Sequence, residues 1–482
     1  MLRRTKIVAT LGPATDDPKM LDKIIEAGVD VVRLNYSHGA KEQHRERAET
    51  VRNRARAHGR QVGVLVDLQG PKIRIDKFKD GAIVLEEGAI FTLDTRLGEE
   101  DGTQECVGIA YKNLPNDVQR GDTLLLDDGA IELWVDDVDE ETIKTKVVAA
   151  GKLSNSKGIN RLGGGLSAPA LTDKDREDIK HAAEIKADYV AISFPRKAED
   201  INEARRLLEK AGGHGGIVAK IERSEALNDL EAIISASDVV MIARGDLGVE
   251  IGDAALPPVQ KEIIKTARRL NRVVITATQM MDSMITSQIP TRAEVFDVAN
   301  SVFDGTDAVM LSAETAVGDF PDKAIAAMAR ICREAEKQPL AKKSDHRIDT
   351  EFSHIDEAIA MASMYAANHL GVKAIAALTE SGSTALWMSR ISSGIPIYAL
   401  TPHVETRRKV TIYRGVYPLS FEIETNNHAE ANQEAVDELK RRGVVRDGDL
   451  VIITKGDLMG IHGGTNSMKI VRVGETLLPE KQ

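Results

Sequence analysis

Short apolar runs alternate with amphipathic segments over most of the chain, and this pattern predicts a sheet built from repeated βα units. Runs such as VGVLVD and VVITA are rich in β-branched residues and too short for helices, so they predict strands buried on both faces. The longer segments between them repeat apolar residues at the spacing of one helix face. Eight strands are predicted, at Lys6–Thr10, Val31–Asn35, Val62–Asp67, Tyr189–Phe194, Ile217–Ile221, Val239–Ala243, Val273–Ala277 and Ala308–Leu311.

Eight strands alternating with eight helices is the number that closes a parallel sheet into a (β/α)8 barrel. A doubly wound open sheet is the alternative, although it has no reason to stop at eight strands. The helical segment between the last two predicted strands has clear signals for its start and its end. Thr291 and Glu294 have the spacing of a capping box, and Asp304–Gly305 predicts the end of that helix.

The alternation breaks after the third strand and resumes about one hundred residues later. Residues 71–169 contain short alternating runs between Gly and Asp turns, which predict a small β-rich domain inserted into the barrel. A polar, proline-containing stretch at 338–349 predicts a linker, and the helices and strands beyond it predict a separate α/β domain. We therefore expect a barrel domain of residues 1–70 and 170–345, a lid domain of residues 71–169 and a C-terminal domain of residues 346–482.

Composition narrows the class of protein. A chain of 482 residues, 42% of them hydrophobic, can bury the cores of two or three domains. Its net charge of −11 includes no basic block, so no nucleic-acid partner is expected. Cys106 and Cys332 lie far apart, which argues against a disulfide framework or a CxxC site. The apolar run Ile7–Ala9 is too short for a signal peptide and no stretch approaches a membrane span, so we expect a cytoplasmic protein with no membrane partner.

Polar side chains follow nearly every predicted barrel strand. In a closed barrel the carboxyl ends of all strands share one mouth, which is where barrel enzymes hold their active sites. The candidate residues there are Thr10, Arg33, Asn35, Ser37, Asp67, Ser193, Phe194, Lys220, Glu222, Arg244, Asp246, Thr278, Gln279, Ser312 and Glu314.

Charged residues dominate this set. Glu222 and Asp246 offer hard oxygen ligands suited to Mg²⁺ or Mn²⁺, and the alternative is a pair of helix-capping or hydrogen-bonded acids. Lys220 lies two residues from Glu222 and so on the same strand face, where a plain salt bridge is the alternative. Arg33 and Arg244 carry the fixed charge that clamps phosphate or carboxylate, although a buried arginine–acid pair would use the same residues.

The segment Ala243–Gly248 places a glycine on each side of Asp246, which lets backbone N–H groups approach an anion closely. An ordinary Gly-Asp turn is the alternative. This set would surround one site with two arginines, a lysine and a divalent ion. Such a concentration of positive charge indicates a small, highly anionic substrate. Phosphoryl transfer fits, because it needs positioning and charge neutralisation more than covalent help. A metal-dependent aldolase or lyase on the same barrel and a non-catalytic binding protein remain alternatives.

Several stretches, taken together and in chain order, resemble the pyruvate kinase family: KIVATLGPAT, VVRLNYSHG, VDLQGPKIR, AKIE, ARGDLGVE, ATQMMDSM and PTRAEVFDVANSVFDGTDAVMLSAETAVG. The resemblance covers nearly all 482 residues. It implies an α/β protein with a (β/α)8 TIM barrel, an inserted small β-barrel lid and a C-terminal α/β effector domain. It also implies transfer of the phosphoryl group of phosphoenolpyruvate to ADP, giving pyruvate and ATP in the last step of glycolysis. Magnesium or manganese, a phosphorylated allosteric effector and a homotetramer are further implications.

The resemblance also implies roles for individual residues. Glu222 and Asp246 match divalent-metal ligands, and Lys220 matches the lysine that steadies the transferring phosphoryl group. The substrate contacts that it implies are Arg33, Gly245, Asp246 and Thr278, of which Arg33 and Thr278 join Lys220 as catalytic residues. Thr278 lies near the enolate carbon that takes up a proton, with Ser312 and Glu314 in support. The nucleotide-side positions are Arg74, Lys157 and His38, with Lys157 on the lid.

One departure from the family bears on its monovalent cation. Asn35, Ser37 and Asp67 match potassium ligands, but family members that need potassium carry a glutamate where this chain has Lys72. A covalently attached ammonium supplies the charge that potassium would otherwise provide. We therefore expect no requirement for K⁺ and no ion at those three positions.

The loop TESGST lies between a predicted strand and a predicted helix of the C-terminal domain. Its hydroxyls and N–H groups could cradle a phosphate at the helix N-terminus, and a Ser-Gly turn with an N-cap is the alternative. The resemblance implies that it is an effector-phosphate loop, with the glycine-rich run Lys455–Asn466 beside it. Whether the effector is a sugar phosphate or AMP stays open. The loop residues are Thr379, Ser381, Gly382, Ser383 and Thr384.

Overall fold

The computed structural model describes residues 2–342, 351–423, 425, 427–457 and 463–475. Its chain begins with strands β1 (Lys6–Thr10), β2 (Val31–Asn35) and β3 (Gly63–Asp67), which alternate with helices Pro18–Ala27 and Lys41–Ala57. Every residue of β1 and β3 is buried, as predicted for strands covered on both faces. The first helix ends at Gly28, whose φ of 115° suits a residue without a side chain.

The β-rich segment follows β3 and has its own apolar core around Phe91, Leu93 and Leu133. Strands β5 and β7–β9 form a six-stranded sheet with β6 and β11, while β4 and β10 pair separately. Hydrogen bonds between the described strands do not close the six-stranded sheet into a ring. A single-turn helix lies at Leu114–Asp117. The strands are β4 (Ala82–Leu85), β5 (Ile90–Asp94), β6 (Cys106–Gly108), β7 (Thr123–Leu126), β8 (Ile131–Val138), β9 (Thr142–Ala149), β10 (Gly151–Ser154) and β11 (Ile159–Arg161).

The βα alternation then resumes and closes the barrel. Its remaining strands are β12 (Tyr189–Ile192), β13 (Gly216–Ile221), β14 (Val239–Ala243), β15 (Val273–Ala277) and β16 (Ala308–Leu311). Around the ring the order is β1, β2, β3, β12, β13, β14, β15 and β16. Parallel pairing of β1 with β16, with Lys6 opposite Ala308, completes the ring. The predicted (β/α)8 barrel is therefore confirmed, and the open doubly wound sheet is excluded.

The helices around the barrel agree with the prediction apart from three differences, one of which is the unpredicted single-turn helix Ala313–Ala316. One predicted helix at 225–235 is divided in two at Asp229, and an unpredicted helix, Arg244–Ile251, follows β14 directly. The capping box is present, because the Glu294 N–H donates to Thr291 and the Glu294 carboxylate accepts the Thr291 N–H. The barrel helices after β11 are Asp173–Glu184, Ala198–Lys210, Ser224–Asn228, Leu230–Ala236, Arg244–Ile251, Leu256–Arg269, Arg292–Asp304, Ala313–Ala316 and Pro321–Ala335. Short 3-10 helices lie at Pro13–Thr15, Asp282–Ile285 and Pro339–Ala341.

A five-stranded sheet forms the centre of the C-terminal part. Its order is β19, β18, β17, β20, β21, and only the edge strand β21 is antiparallel to its neighbour. Strand β19 and helix Val404–Lys409 were not predicted, because neither has a clear apolar period. The strands are β17 (Ala374–Leu378), β18 (Ile397–Thr401), β19 (Val416–Ser420), β20 (Leu450–Gly456) and β21 (Thr465–Arg472). The helices are Ile355–Leu370, Ser383–Ser389, Val404–Lys409 and His428–Arg441, with a 3-10 turn at Val410–Ile412.

The C-terminal sheet and its helices lie against the amino ends of the barrel strands. The Tyr189 hydroxyl at the start of β12 donates to the Lys409 carbonyl at 2.6 Å, and Lys6 at the start of β1 donates to the Val416 carbonyl. Arg390 forms an ion pair with Asp307, just before β16, and both side chains are at most 2% exposed. The carboxyl ends of the strands therefore open on the opposite side.

The predicted domain limits stay predictions, and the boundary at 345–346 and most of the linker at 338–349 lie outside the described residues. Within the part of the chain that the structure describes, every helix is too short or too polar to cross a lipid bilayer.

Candidate active site

Asp67, at the carboxyl end of β3, lies at the centre of the charges in the barrel mouth. Its Oδ2 accepts a hydrogen bond of 2.6 Å from Arg33 Nε, and its Oδ1 lies 3.2 Å from Lys220 Nζ. Arg33 also donates to the Thr10 hydroxyl at 3.1 Å. Burial alone would raise the pKa of the Asp67 carboxyl, but Lys220 and Arg33 together hold that pKa below its ordinary value. Asp67 is therefore a buried anion between two cations.

Lys220 has three partners at the mouth. Besides Asp67, its Nζ lies 2.8 Å from Glu222 Oε1 and donates to the Ser193 hydroxyl at 2.8 Å. Burial opposes the charge on the ammonium, but Asp67 and Glu222 outweigh it and raise the pKa of Lys220 above the ordinary value. The salt bridge considered for Lys220 and Glu222 is thus present. Because 11% of the lysine side chain stays exposed, a fixed positive charge is presented at the mouth.

Glu222 and Asp246 come from neighbouring strands and face the same region. Burial raises the pKa of the Glu222 carboxyl, and the negative charge of Asp246 adds to this rise while Lys220 opposes it. Glu222 Oε2 accepts the Phe194 N–H at 2.9 Å. Two close acids with mutual repulsion fit a divalent cation. Among the described residues no group of three or more His, Cys, Asp or Glu is arranged around a metal, so water or substrate would have to complete its coordination.

Arg244 does not face the mouth, which corrects the expectation that it clamps the substrate. Its guanidinium pairs with Asp297 at 2.7 Å and donates to the Thr278 carbonyl at 2.7 Å. Only 9% of its side chain is exposed. The arginine therefore ties the end of β15 to helix Arg292–Asp304, as the buried arginine–acid alternative describes.

Thr278 and Gln279, directly after β15, both have left-handed backbone conformations, with φ of 66° and 53°. This region is unfavourable for a β-branched residue such as threonine, and strain of this kind concentrates at functional sites. The Thr278 hydroxyl donates to the Ala277 carbonyl at 2.7 Å and accepts the Gly245 N–H at 2.9 Å. The hydroxyl is thereby fixed in place, and the Gly245 N–H already has an intramolecular partner.

Glu314 links the loops that follow β15 and β16. Its carboxylate accepts the Ser312 N–H at 2.6 Å and the Met281 N–H at 3.2 Å, and burial raises its pKa. The structure thus places Ser312 and Glu314 next to the segment that carries Thr278.

The two nucleotide-side candidates of the lid have partners within the segment that carries them. Lys157 Nζ lies 2.7 Å from Asp127 Oδ1, and Arg74 donates to the Ser156 carbonyl at 2.7 Å. His38 is exposed beyond β2, and its carbonyl lies 2.9 Å from His44 Nε2. Arg74 pairs with Gly158 in an isolated antiparallel bridge, so the structure places Arg74 and Lys157 on adjacent segments, while the contact of His38 with His44 involves neither of them.

The positions matched to a monovalent ion are partly occupied by protein contacts. Asn35 Oδ1 accepts the Ser37 N–H at 3.2 Å, and Asp67 is already paired with Arg33 and Lys220. The ammonium of Lys72 lies 3.3 Å from Asp246 Oδ1. Lys72 therefore brings its charge to one of the two candidate metal ligands.

The predicted effector loop lines a cavity of about 340 Å³ beside the C-terminal sheet. Thr379 Oγ1 accepts the Gly382 N–H at 2.9 Å, and Gly382 adopts the left-handed φ of 82° that this turn requires. Lys455 and Thr465 line the same cavity, and the hydroxyls of Thr384 and Thr465 lie 2.7 Å apart. The loop and the described ends of the glycine-rich run are thus brought together, while residues 458–462 lie outside the described part.

Two residues after β12 contribute more than the sequence indicated. The Ser193 hydroxyl bridges Lys220 and the Leu68 carbonyl, the latter at 2.7 Å, and Phe194 holds Glu222 through its N–H. Its position at the carboxyl end of the predicted strand Tyr189–Phe194 identified Ser193 as a mouth residue without a role. Nothing in the sequence signals the left-handed backbone of Phe194, whose φ is 57°.

Two family models match this chain. The model described as "Pyruvate kinase, barrel domain" matches residues 2–325, and the model described as "Pyruvate kinase, alpha/beta domain" matches residues 357–471. Together they cover most of the barrel, the inserted segment and the C-terminal sheet.

Curated relatives match over nearly the full length. Pyruvate kinase II of Salmonella typhimurium is 57% identical over 476 residues, which are 98% of this chain and 99% of that protein. A pyruvate kinase of Haemophilus influenzae is 55% identical over 94% of this chain and 96% of its own length. A pyruvate kinase of Staphylococcus aureus is 43% identical over 99% of this chain and 81% of its own length.

Proposed function

The chain belongs to the pyruvate kinase family and transfers the phosphoryl group of phosphoenolpyruvate to ADP, giving pyruvate and ATP, and we propose that the barrel mouth carries out this reaction. The observation that supports this assignment is the Lys220 ammonium, held between Asp67, Glu222 and Ser193, with Glu222 in turn interacting with the charge of Asp246. The aldolase or lyase and the non-catalytic protein, which the residues alone left open, are set aside by family membership.

Lys220 and Arg33 are the fixed cations of the proposed site. Lys220 faces the transferring phosphoryl group and offsets its charge, because its ammonium is preorganised by three partners and needs no rearrangement. Arg33 is held by Asp67 and Thr10 and contacts the substrate with the N–H groups that these two leave free.

Glu222 and Asp246 would hold the divalent cation that this family generally needs. Magnesium or manganese, when bound, would neutralise phosphoryl and enolate oxygens and orient them. The chain's own part is to keep two carboxylates close together, with Phe194 fixing Glu222 and Lys72 facing Asp246.

Thr278 is the proposed proton-handling residue. Its hydroxyl is fixed by the Gly245 N–H and the Ala277 carbonyl, so it can order a water that protonates the enolate carbon of pyruvate. Gly245 and Asp246 contact the substrate beside it. Ser312 and Glu314 support the loop that carries Thr278.

On the nucleotide side, Arg74, Lys157 and His38 contact ADP. Lys157 is paired with Asp127 in this structure, so it exchanges that partner for a phosphate when the lid, residues 71–169, closes over the mouth. Lid closure would also exclude water, as phosphoryl transfer to ADP rather than to water requires.

Lys72 makes the enzyme independent of potassium, so Asn35, Ser37 and Asp67 hold no monovalent ion. Its ammonium already places a positive charge beside Asp246. Turnover is expected to be equal in KCl and in a tetramethylammonium salt, and strong stimulation by KCl would refute this. Lys72→Glu should create a dependence on potassium.

Three further features belong to the proposal. The barrel comprises residues 1–70 and 170–345, the lid residues 71–169 and the C-terminal domain residues 346–482. The loop Thr379–Thr384 binds the phosphate of a regulatory metabolite, either a sugar phosphate or AMP. The working form is a cytoplasmic homotetramer.

A coupled assay for pyruvate tests the site assignment as a whole. Pyruvate formation should require phosphoenolpyruvate, ADP and Mg²⁺ or Mn²⁺ together, and Glu222→Gln and Asp246→Asn should raise the metal concentration needed for half-maximal rate. An unchanged metal dependence in both variants would show that these carboxylates do not hold the metal.

A further inference from the structure

A second cavity, of about 460 Å³, lies between the barrel and the C-terminal part, at the end of the barrel opposite the mouth. We call it the interdomain cavity. Its barrel wall includes Lys186 and His214, and its C-terminal wall includes Lys409 and Ser381. Small-molecule sites commonly have volumes of about 300–1,000 Å³ and lie at domain interfaces. The cavity is therefore large enough for a metabolite.

The charged and titratable side chains of the described lining are two lysines, one histidine and two acids. Lys186, Lys409 and His214 make no ion pair with any described residue. The charge of Asp188, one of the two acids in the lining, is offset by Arg52 at 3.8 Å. Its carboxylate also accepts the Val64 N–H at 2.8 Å. Glu405 is the only acid left in the described lining, so the cavity attracts anions.

The rest of the lining is uncharged and close-packed. Ala183, Ala187, Thr406 and the three glycines of the glycine-rich loop at 212–215 form it, together with Ser381. A Cβ on Gly213 would lie 2.5 Å from Leu208 Cδ1, and one on Gly215 would lie 2.6 Å from the Ala187 carbonyl oxygen. Side chains are thus excluded at both positions, and main chain with small apolar groups faces the ligand space. A ligand would combine an anionic group with an uncharged body.

We propose that the interdomain cavity binds a small phosphate monoester, with its phosphate attracted by Lys186, Lys409 and His214. The uncharged body packs against Ala183, Ala187 and the glycine-rich loop. This site is separate from the effector loop proposed above, since the two cavities share only Ser381 among their described lining residues.

Such a ligand would connect two parts of the chain. Lys186 lies three residues before β12, and the Lys409 carbonyl accepts the hydroxyl of Tyr189, the first residue of that strand. Strand β12 leads to Ser193, which holds Lys220. Because a ligand that binds only the folded state stabilises it by mass action, binding here should raise the thermal midpoint.

Calorimetric titration with two matched pairs of probes tests the proposal. AMP and glycerol 3-phosphate carry the phosphate, and adenosine and glycerol are their uncharged counterparts. The titrations use a Ser383→Asp background, which places a carboxylate in the effector loop but not in the interdomain cavity. Lys186→Gln with Lys409→Gln removes two cations of the site. Lys180→Gln, at an exposed lysine paired with Glu177, is the matched control.

At least one phosphate probe should bind once per chain in the Ser383→Asp background, while its uncharged counterpart should not. The double lysine variant should weaken this binding by roughly tenfold or more, and Lys180→Gln should leave it unchanged. If the double variant does not fold, Lys186→Gln alone should weaken binding severalfold, since Lys186 is exposed and makes no ion pair within the described part of the chain.

Three outcomes would overturn the proposal. No binding of either phosphate probe in the Ser383→Asp background would leave the effector loop as their only site. Equal binding of probe and uncharged counterpart would remove the anion requirement. Affinity unchanged by the lysine substitutions would place the binding elsewhere.

Discussion

Lys220 lies between Asp67 and Glu222 and connects charged residues that come from β2, β3 and β13. Arg33, Asp67, Lys220 and Glu222 form a continuous series in which each cation lies next to an anion. Burying such a series of charges costs desolvation energy, which offsets the attraction between them. The series therefore contributes less to the stability of the fold than to function, where it fixes the positions of the charged groups. Changes at Lys220 should therefore affect turnover more than folding.

Lys220→Gln keeps an N–H donor toward Glu222 and Ser193 but removes the charge. We expect the variant to fold and to lose turnover on the order of a hundredfold or more, the scale seen when one preorganised group is removed from a transition state. The coupled pyruvate assay measures this, with a thermal melt as the folding control. Lys337→Gln breaks an exposed ion pair with Glu334 and should have no effect. Near-normal turnover of Lys220→Gln would exclude Lys220 from the chemistry.

Gly70 supports the same lysine indirectly. A Cβ there would lie 2.6 Å from the Ser193 Cβ, and Ser193 holds Lys220. Gly70→Ala should therefore displace the lysine and lower turnover on the order of tenfold to a hundredfold, since small misplacements weaken catalysis strongly. Gly59→Ala is a close control, because its φ of 64° nearly equals the 65° of Gly70 and no atom of a described residue would lie within 4 Å of its Cβ. Equal turnover in both variants would contradict the steric argument.

At this scale the sequence predicted which residue types reach the mouth but not their partners. Asp67, Lys220 and Glu222 were identified because they lie at the carboxyl ends of predicted strands, and strand ends can be located from apolar runs. The same rule placed Arg244 at the mouth, where it instead bonds to Asp297. Side-chain direction depends on the packing of neighbouring elements, which a one-dimensional pattern does not contain.

Among elements, strands and capped helices were predicted well, and short or glycine-containing ones were not. The box of Thr291 and Glu294 is a local interaction and so can be recognised in the sequence. Helix Arg244–Ile251 has little amphipathic character and contains two glycines, so it was interpreted as a turn. Strand β19 forms by pairing with the edge of β18, and this pairing depends on the tertiary structure.

The start of β12 provides a prediction about pH. Burial raises the pKa of Asp188 to about 6, although Arg52 and the Val64 N–H oppose this rise. Its pKa in the unfolded chain is about 3.9. A raised pKa means that this group's contribution to stability is complete below about pH 4 and is lost as pH rises through about 6.

We compare the thermal midpoints of the wild type and of Asp188→Asn. The wild-type midpoint minus the variant midpoint should be larger at pH 4.5 than at pH 7. The melts need buffers without phosphate, because Asp188 lines the interdomain cavity. A difference that stays constant or increases over this range would contradict the assignment.

Over the whole molecule, buried polar contacts join the barrel to the C-terminal part. Asp307 pairs with Arg390 and also accepts the Val274 N–H at 2.9 Å, so one carboxylate connects β15 and β16 to the residue that follows helix Ser383–Ser389. That helix begins at the effector loop. The periodicity predicts the strand Ala308–Leu311 that follows Asp307, but contacts between residues far apart in sequence follow only from how the domains pack.

Arg390→Leu should be strongly destabilising, because it leaves the buried Asp307 carboxylate without its cation. The expected loss is about 3–5 kcal/mol, visible as a lower midpoint in urea or thermal unfolding. Arg269→Leu removes the exposed arginine that pairs with Glu231 and should change stability by about 1 kcal/mol or less. If the two variants unfolded at the same midpoint, the buried pair of Arg390 and Asp307 would contribute no more to stability than the exposed pair of Arg269 and Glu231.

The pairing of β1 with β16 also has a consequence for biosynthesis. Lys6 finds its partner Ala308 roughly 300 residues later, which is about 15–60 s of translation at the usual rate of synthesis. Until then β1 has an unpaired edge, and such edges favour association with other chains. The lid segment, whose core lies within its own residues, can form while the ribosome is still producing the last barrel strands. The nascent barrel therefore has an unpaired strand edge for longer than the lid segment needs to form its own core.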